Sequence, residues 1–166
     1  MKTLISAILS VVIVLTAGQT FSADTKMYNN DNALKGMQGV KVYFDISLGD
    51  APKLLLRMQL VDRTIRQLEE SGVRVKTVIG IRGGASRYIT RAEHYVLDDE
   101  IEYKKKIQGW ISTFAKQGIT IEQCIIAAEI LDIEPGDFLP EVELVKNGYV
   151  SLVGYQAQGF GVIPMD

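Results

Sequence analysis

The hydrophobic pattern divides the chain into three stretches. Leu4 to Leu15 is apolar apart from Ser6 and Ser10, and Lys2 stands just before it. A run this short suits the apolar segment of a secretory signal better than a membrane span of about 20 residues. Small and polar residues follow to Ala23, so residues 1–23 read as a signal peptide. Residues 24–38 are rich in Asn, Asp and Lys and carry no apolar period, which predicts a flexible leader. From residue 39 onward, short β-branched runs alternate with stretches of helical period, and the domain is predicted over 39–166.

Val40 to Ile46 reads as a strand, and Asp50 is placed to cap a helix with Pro52 in its first turn. Leu54, Met58, Val61, Ile65 and Leu68 fall on one face of that helix, and Gly72 stops it. A second strand, Val73 to Ile81, ends in Arg82-Gly83-Gly84. Asp98 and Asp99 open another helix, with Ile107, Trp110, Ile111 and Phe114 as its stripe and Gly118 as its stop. A short third strand from Ile119 runs into Gln123-Cys124, and a helical turn from Ile125 to Leu131 follows. Pro135-Gly136 marks a break. Phe138 to Lys146 is predicted as a last short helix, and Val150–Val153 and Phe160–Ile163 as two final strands. Strands separated by helices imply an α/β fold: a doubly wound, mostly parallel sheet of about five strands with helices on both faces.

Charge and composition narrow the partners. The chain has 18 basic and 20 acidic residues; without residues 1–23 the balance is 17 against 20, a net charge of −3. That excess attracts neither nucleic acid nor an anionic membrane, so no nucleic-acid partner is expected, and no membrane partner once the signal is cleaved. One histidine and one cysteine are too few for a zinc site, and no metal or cofactor is predicted. The lone cysteine cannot form an internal disulfide, which in an exported protein flags a reactive thiol or an intermolecular bridge. No Ser/His/Asp set, phosphate-binding loop or carboxylate pair can be argued from the spacings, so turnover as an enzyme is left open.

In an open parallel sheet, ligands bind beyond the carboxyl ends of the strands. That rule brings Ser47-Leu48-Gly49-Asp50, Arg82-Gly83-Gly84-Ala85-Ser86 and Cys124 to one edge. Cys124 stands where a strand hands over to a helix, whose N-terminus favours an anion such as a thiolate or persulfide. Arg82 would act in the same sense, and Gly83 and Gly84 would let backbone N–H groups approach the anion. Each residue also has a plainer reading. Cys124 serves equally as a small buried hydrophobe, Arg82 as half of an ion pair, and Gly83-Gly84 as a turn. Asp50 reads as a helix cap, and His94 as exposed and inert.

Four segments in order resemble the DsrE/DsrF-like sulfur-relay family, in its branch of small exported members. They are Val40–Ile46 leading to Gly49-Asp50, the strand ending in Arg82-Gly83-Gly84-Ala85, Gly118-Ile119 through Glu122-Gln123-Cys124, and the tail Gly154-Tyr155-Gln156-Ala157-Gln158-Gly159-Phe160. The resemblance covers residues 39–166. It implies a doubly wound α/β fold, assembly into trimers or hexamers, and sulfur carried as a persulfide on the cysteine after the third strand, here Cys124. Arg82, Gly83 and Gly84 would steady that anion. The implied partners are a sulfur donor and acceptor protein or a small polysulfide, and the signal segment places the protein in the periplasm. Two further readings stand beside the carrier. One is a non-catalytic oligomeric binding module in which Cys124 only packs; the other is a redox-sensing thiol that forms a disulfide between chains.

Overall fold

The computed structural model describes residues 28–166. The predicted signal segment, 1–23, and the first residues of the predicted leader lie outside the described residues. Within the stretch predicted as a leader, Asp31–Leu34 forms a single helical turn, α1, with no buried residue. Five strands follow: β1 (Gly39–Ile46), β2 (Arg74–Ile81), β3 (Thr120–Cys124), β4 (Glu143–Val145) and β5 (Gly161–Pro164). They form one sheet in the order β4-β3-β2-β1-β5, and every neighbouring pair is parallel. The helices between them are α2 (Ala51–Glu70), α3 (Ile101–Lys116), α4 (Ile125–Ile130) and α5 (Gly148–Ala157). Among the described residues, no helix is long and apolar enough to cross a membrane.

Local chemistry explains most of the element ends. The Lys53 N–H donates to Asp50 Oδ1 at 3.0 Å, which caps α2 as its sequence position predicts. Gly72 and Gly118, just past α2 and α3, adopt φ +78° and +75°, a left-handed turn that glycine enters without strain. The connection from β2 to α3 forms a series of 3-10 turns. Lys104 pins it, buried with Nζ 2.7 Å from Thr90 Oγ1 and bonded also to the Ala92 carbonyl. Burial pushes the Lys104 ammonium below its ordinary pKa.

The strand period of two sorts side chains between two cores. Val42, Phe44 and Ile46 of β1, with Ile79 and Ile81 of β2 and Ile121 of β3, face Leu54, Met58, Val61 and Ile65 of α2 and Ile107, Ile111 and Phe114 of α3. Tyr43 and Val78 point the other way and form a smaller cluster with Phe160, against Leu152 and Tyr155 of α5. Successive right-handed crossovers from β1 to β4 step in one direction and keep α2, α3 and α4 on one face. The return from β4 to β5 steps back across the sheet, which places α5 on the other.

The segment from 138 to 157 corrects the sequence reading. Residues 143–145 are a strand rather than the end of a helix, and residues 150–153 lie in α5 rather than in a strand. The β-branched Val150 and Val153 favour a strand locally. Asn147 nevertheless caps a helix there, accepting from the Tyr149 N–H at 3.0 Å. Gly148, Leu152 and Tyr155, at i, i+4 and i+7, then face the sheet. Packing of that stripe on Tyr43 and Val78 outweighs a propensity difference of less than about 1 kcal/mol per residue.

Candidate functional site

Two adjacent strands, β3 and β4, send their following helices to opposite faces. Helix α4 leaves β3 toward the larger core, where Ala128 is buried, and α5 leaves β4 toward the smaller one. Such a divergence opens a crevice beyond the carboxyl ends of the strands. A cavity of about 230 Å³ occupies it. Arg82, Gly83, Gly84 and Cys124 all line it, so the fold gathers the four predicted site residues at one place. Larger hollows of about 440 and 650 Å³ lie by the amino ends of β1, β2 and β3, at the far end of the strands.

Cys124 ends β3 and occupies the N-cap position of α4. It is 4% exposed. A β-carbon built on Gly148 would lie 3.1 Å from Cys124 Cβ and 3.6 Å from Sγ, so the sulfur rests against the first turn of α5 as well. Gly148 is the residue that leaves it room. Gln123, fully buried on the opposite face of β3, donates from Nε2 to the Cys124 carbonyl at 2.7 Å and to Ser86 Oγ at 2.9 Å. The strand-to-helix corner carrying the thiol is therefore held from both sides of the sheet.

Arg82 sits in a paired arrangement. Its Nε and Nη2 donate to Asp45 Oδ1 and Oδ2 at 2.9 and 2.7 Å, a bidentate bridge. Nη1 donates to the Tyr149 hydroxyl at 3.1 Å, and the Tyr149 ring lies 4.7 Å from the guanidinium carbon. The hydrogen bonds that the guanidinium donates to Asp45 hold it above its ordinary pKa. The ion-pair reading of Arg82 thus describes its geometry, and the pair brings no net charge to the cavity. The glycine pair also has a packing task. A β-carbon on Gly84 would lie 2.5 Å from Gly49 Cα, so the loops after β1 and β2 cross backbone to backbone. Gly83 adopts φ +56°, in the left-handed region.

Beneath α5 lies a polar layer that sequence reasoning missed. Asp45, Gly80, Glu122 and Glu143 are register partners across β1 to β4. Gly80 leaves space for the Tyr43 hydroxyl, which lies 1.8 Å from where a β-carbon would stand. Glu122 Oε1 accepts from the Tyr155 hydroxyl at 2.8 Å, while its Oε2 is buried without a hydrogen-bond partner among the described residues. Burial, with the nearby Glu122 carboxylate, raises the pKa of Tyr43. Burial and the bond to Glu122 push Tyr155 up to about 12 from 10.0. Because the folded value lies above the unfolded one, this contribution is complete below pH 10 and is lost as pH rises through 12. Between those pH values the stability of Tyr155→Phe is expected to fall less steeply than that of wild type, measured by urea unfolding at fixed pH. A period-two reading of Thr120–Cys124, which puts Glu122 and Cys124 on one face, was the available signal for this layer. Asp45 could have been found from its place two residues after Tyr43.

His94 is exposed, lies with its ring tilted against that of Tyr95 and lines a separate hollow beside Tyr88 and Glu100. Among the described residues, no group of three His, Cys, Asp or Glu side chains could hold a metal ion.

Solved structures of similar fold supply the context. The protein of unknown function MTH1491 from Methanobacterium thermoautotrophicum superposes with a TM-score of 0.59 at 21% identity, over 75% of this chain and 98% of that one. The ychN protein from E. coli gives a TM-score of 0.55 at 13% identity, over 77% and 99%. The chain has a DsrE/YchN-like fold. At these identities the likeness establishes the DsrE/YchN-like architecture and leaves the chemistry to the site itself. No protein-family model matches the chain. A protein of Aquifex aeolicus (strain VF5), described as uncharacterized, is 27% identical over 126 residues, or 75% of this chain. The match spans 56% of that relative's length.

Proposed function

We propose that this protein is an exported sulfur carrier that holds sulfane sulfur as a persulfide on Cys124. The observation that carries the reading is the placement of the Cys124 side chain in the switch-point cavity of a DsrE/YchN-like fold, beside Arg82, Gly83 and Gly84. In loading, the Cys124 sulfur attacks the outer sulfur of a donor persulfide. A new sulfur–sulfur bond forms, the donor's own breaks, and the donor leaves as a thiol with the proton given up by Cys124. Electrons balance without an external oxidant. Arg82 keeps N–H groups beyond the three used by Asp45 and Tyr149, and these can donate to the persulfide anion. Unloading is the same exchange with an acceptor thiol.

The signal segment supports action in the periplasm, and the donor and acceptor would be proteins or a small polysulfide. Assembly into trimers or hexamers belongs to the same reading; exposed Leu144 on the edge strand β4 and Val150 and Val153 on α5 are suited to it.

The test is the intact mass of the mature protein after incubation with polysulfide. The wild type is expected to gain whole sulfur atoms that a reductant removes, and Cys124→Ser to gain none. A Cys124→Ser variant that still loads would sink the carrier reading. The tight packing of Cys124 against Gly148 favours a second reading, a binding module in which the cysteine is structural. Native thiol accessibility separates the two: a Cys124 that reacts only after unfolding fits the module. A disulfide between chains is the least compatible with a cysteine set back inside a cavity and not on the outer surface.

A further inference from the structure

The lining of the switch-point cavity restricts what Cys124 can meet, a point that rests on the carrier reading but can be tested apart from it. Beside the sulfur, the wall is Ile126, Ala127 and Ile130 of α4, with Leu131 just past its end. At the rim Ile130 is 75% exposed and Tyr149 59% exposed, and the Asn147 amide and the Tyr149 hydroxyl are the uncharged polar side-chain groups of the lining. The one charged side chain in the lining is Arg82, and Asp45 neutralises it through two hydrogen bonds. A dianion entering here would give up its hydration and find no uncompensated positive charge, whereas burial of a small apolar group is favourable. The cavity, about 230 Å³, has room for a compact organic group.

We propose that the cavity selects an uncharged or singly charged organic persulfide or thiol with a small apolar body, and rejects highly charged sulfur species such as thiosulfate. The sulfur of such a donor would reach Cys124 while its carbon part lies on Ile126 and Ile130. The spare N–H groups of Arg82 suffice for one negative charge on the sulfur being transferred.

Three thiol reagents sharing one reactive group provide the test: benzyl, sulfonatoethyl and trimethylammonioethyl methanethiosulfonate. In each, the Cys124 sulfur attacks the reagent's sulfenyl sulfur, a disulfide forms, and methanesulfinate leaves. Rates on the folded full-length protein are divided by rates on the urea-unfolded protein, which removes intrinsic reactivity. The benzyl reagent is expected to exceed the sulfonate by at least about tenfold, equivalent to about 1.4 kcal/mol. Ile130→Lys, a change at a position exposed enough to leave folding intact, is expected to speed the sulfonate about tenfold by adding an unpaired positive charge at the rim. Equal normalised rates for the three reagents, or a Cys124 inert to all of them until unfolded, would overturn the inference. If sulfur loading fails in the mass measurement while the benzyl preference holds, the carrier reading falls and the selectivity of the cavity stands. If loading succeeds and thiosulfate serves as well as an alkyl persulfide, the reverse follows.

Discussion

Asp45→Ala is expected to lower the unfolding free energy by about 3 kcal/mol, because it strips a largely buried arginine of its counter-ion. Arg82 gives two of its hydrogen bonds to Asp45, and the side chains are only 24% and 11% exposed. Removing the carboxylate leaves a guanidinium with its burial unchanged and its best acceptor gone, which is why the loss exceeds the value of an exposed pair, about 0–1 kcal/mol. Urea titration should show a lower midpoint at an unchanged slope. Asp45→Ala combined with Arg82→Met should recover much of the loss, since the orphaned charge is then gone. A double variant no more stable than Asp45→Ala would mean that Asp45 matters through something other than this pair. The single variant should also change the chemistry of the cavity. With Asp45 absent, Arg82 brings an uncompensated charge to the lining, and the sulfonate reagent should gain on the benzyl reagent at Cys124.

The second large effect is steric. Gly84→Val would put a β-carbon 2.5 Å from Gly49 Cα and 3.0 Å from Gly49 N, against backbone that cannot rotate away. The reverse approach is also close, since a β-carbon on Gly49 would stand 3.1 Å from Gly84 Cα. The two loops must then part. The expected loss is about 2–3 kcal/mol, with slower loading of Cys124 because Gly84 forms part of the same cavity. Gly109→Ala is the natural contrast. Gly109 lies inside α3 with nothing within 4 Å of the added carbon, so the exchange should stabilise by about 0.5–1 kcal/mol through helix propensity. Thermal or urea unfolding of the two variants side by side checks both signs. If Gly84→Val matched wild type, the crossing would be looser than its geometry indicates.

The α/β alternation, the Asp50 cap and the glycine stops were legible because each is a local event within one turn of chain. The stripe Leu54, Met58, Val61, Ile65 was legible for the same reason: a single period defines the face before any partner is known. Residues 138–157 were misread where local signals compete. Val150 and Val153 favour a strand, and the need to cover Tyr43 and Val78 on the far face of the sheet decides for the helix. The spacing of Gly148, Leu152 and Tyr155, with Asn147 before them, was the signal that could have tipped the reading.

At the site, the sequence by itself determined which chain segments end at the carboxyl edge of the sheet, because parallel strands joined by crossover helices all end on the same side. That rule alone brings Arg82, Gly83, Gly84 and Cys124 to one edge. Only the tertiary structure decided what each residue does there. Asp45 meets Arg82 across 37 residues of chain, Gly49 meets Gly84 across two loops, and Gly148 meets Cys124 from a helix on the opposite face. Pairings at that separation leave no periodic trace in the sequence. They are set by strand register and by the direction in which each helix crosses, and those come from burying two cores at once.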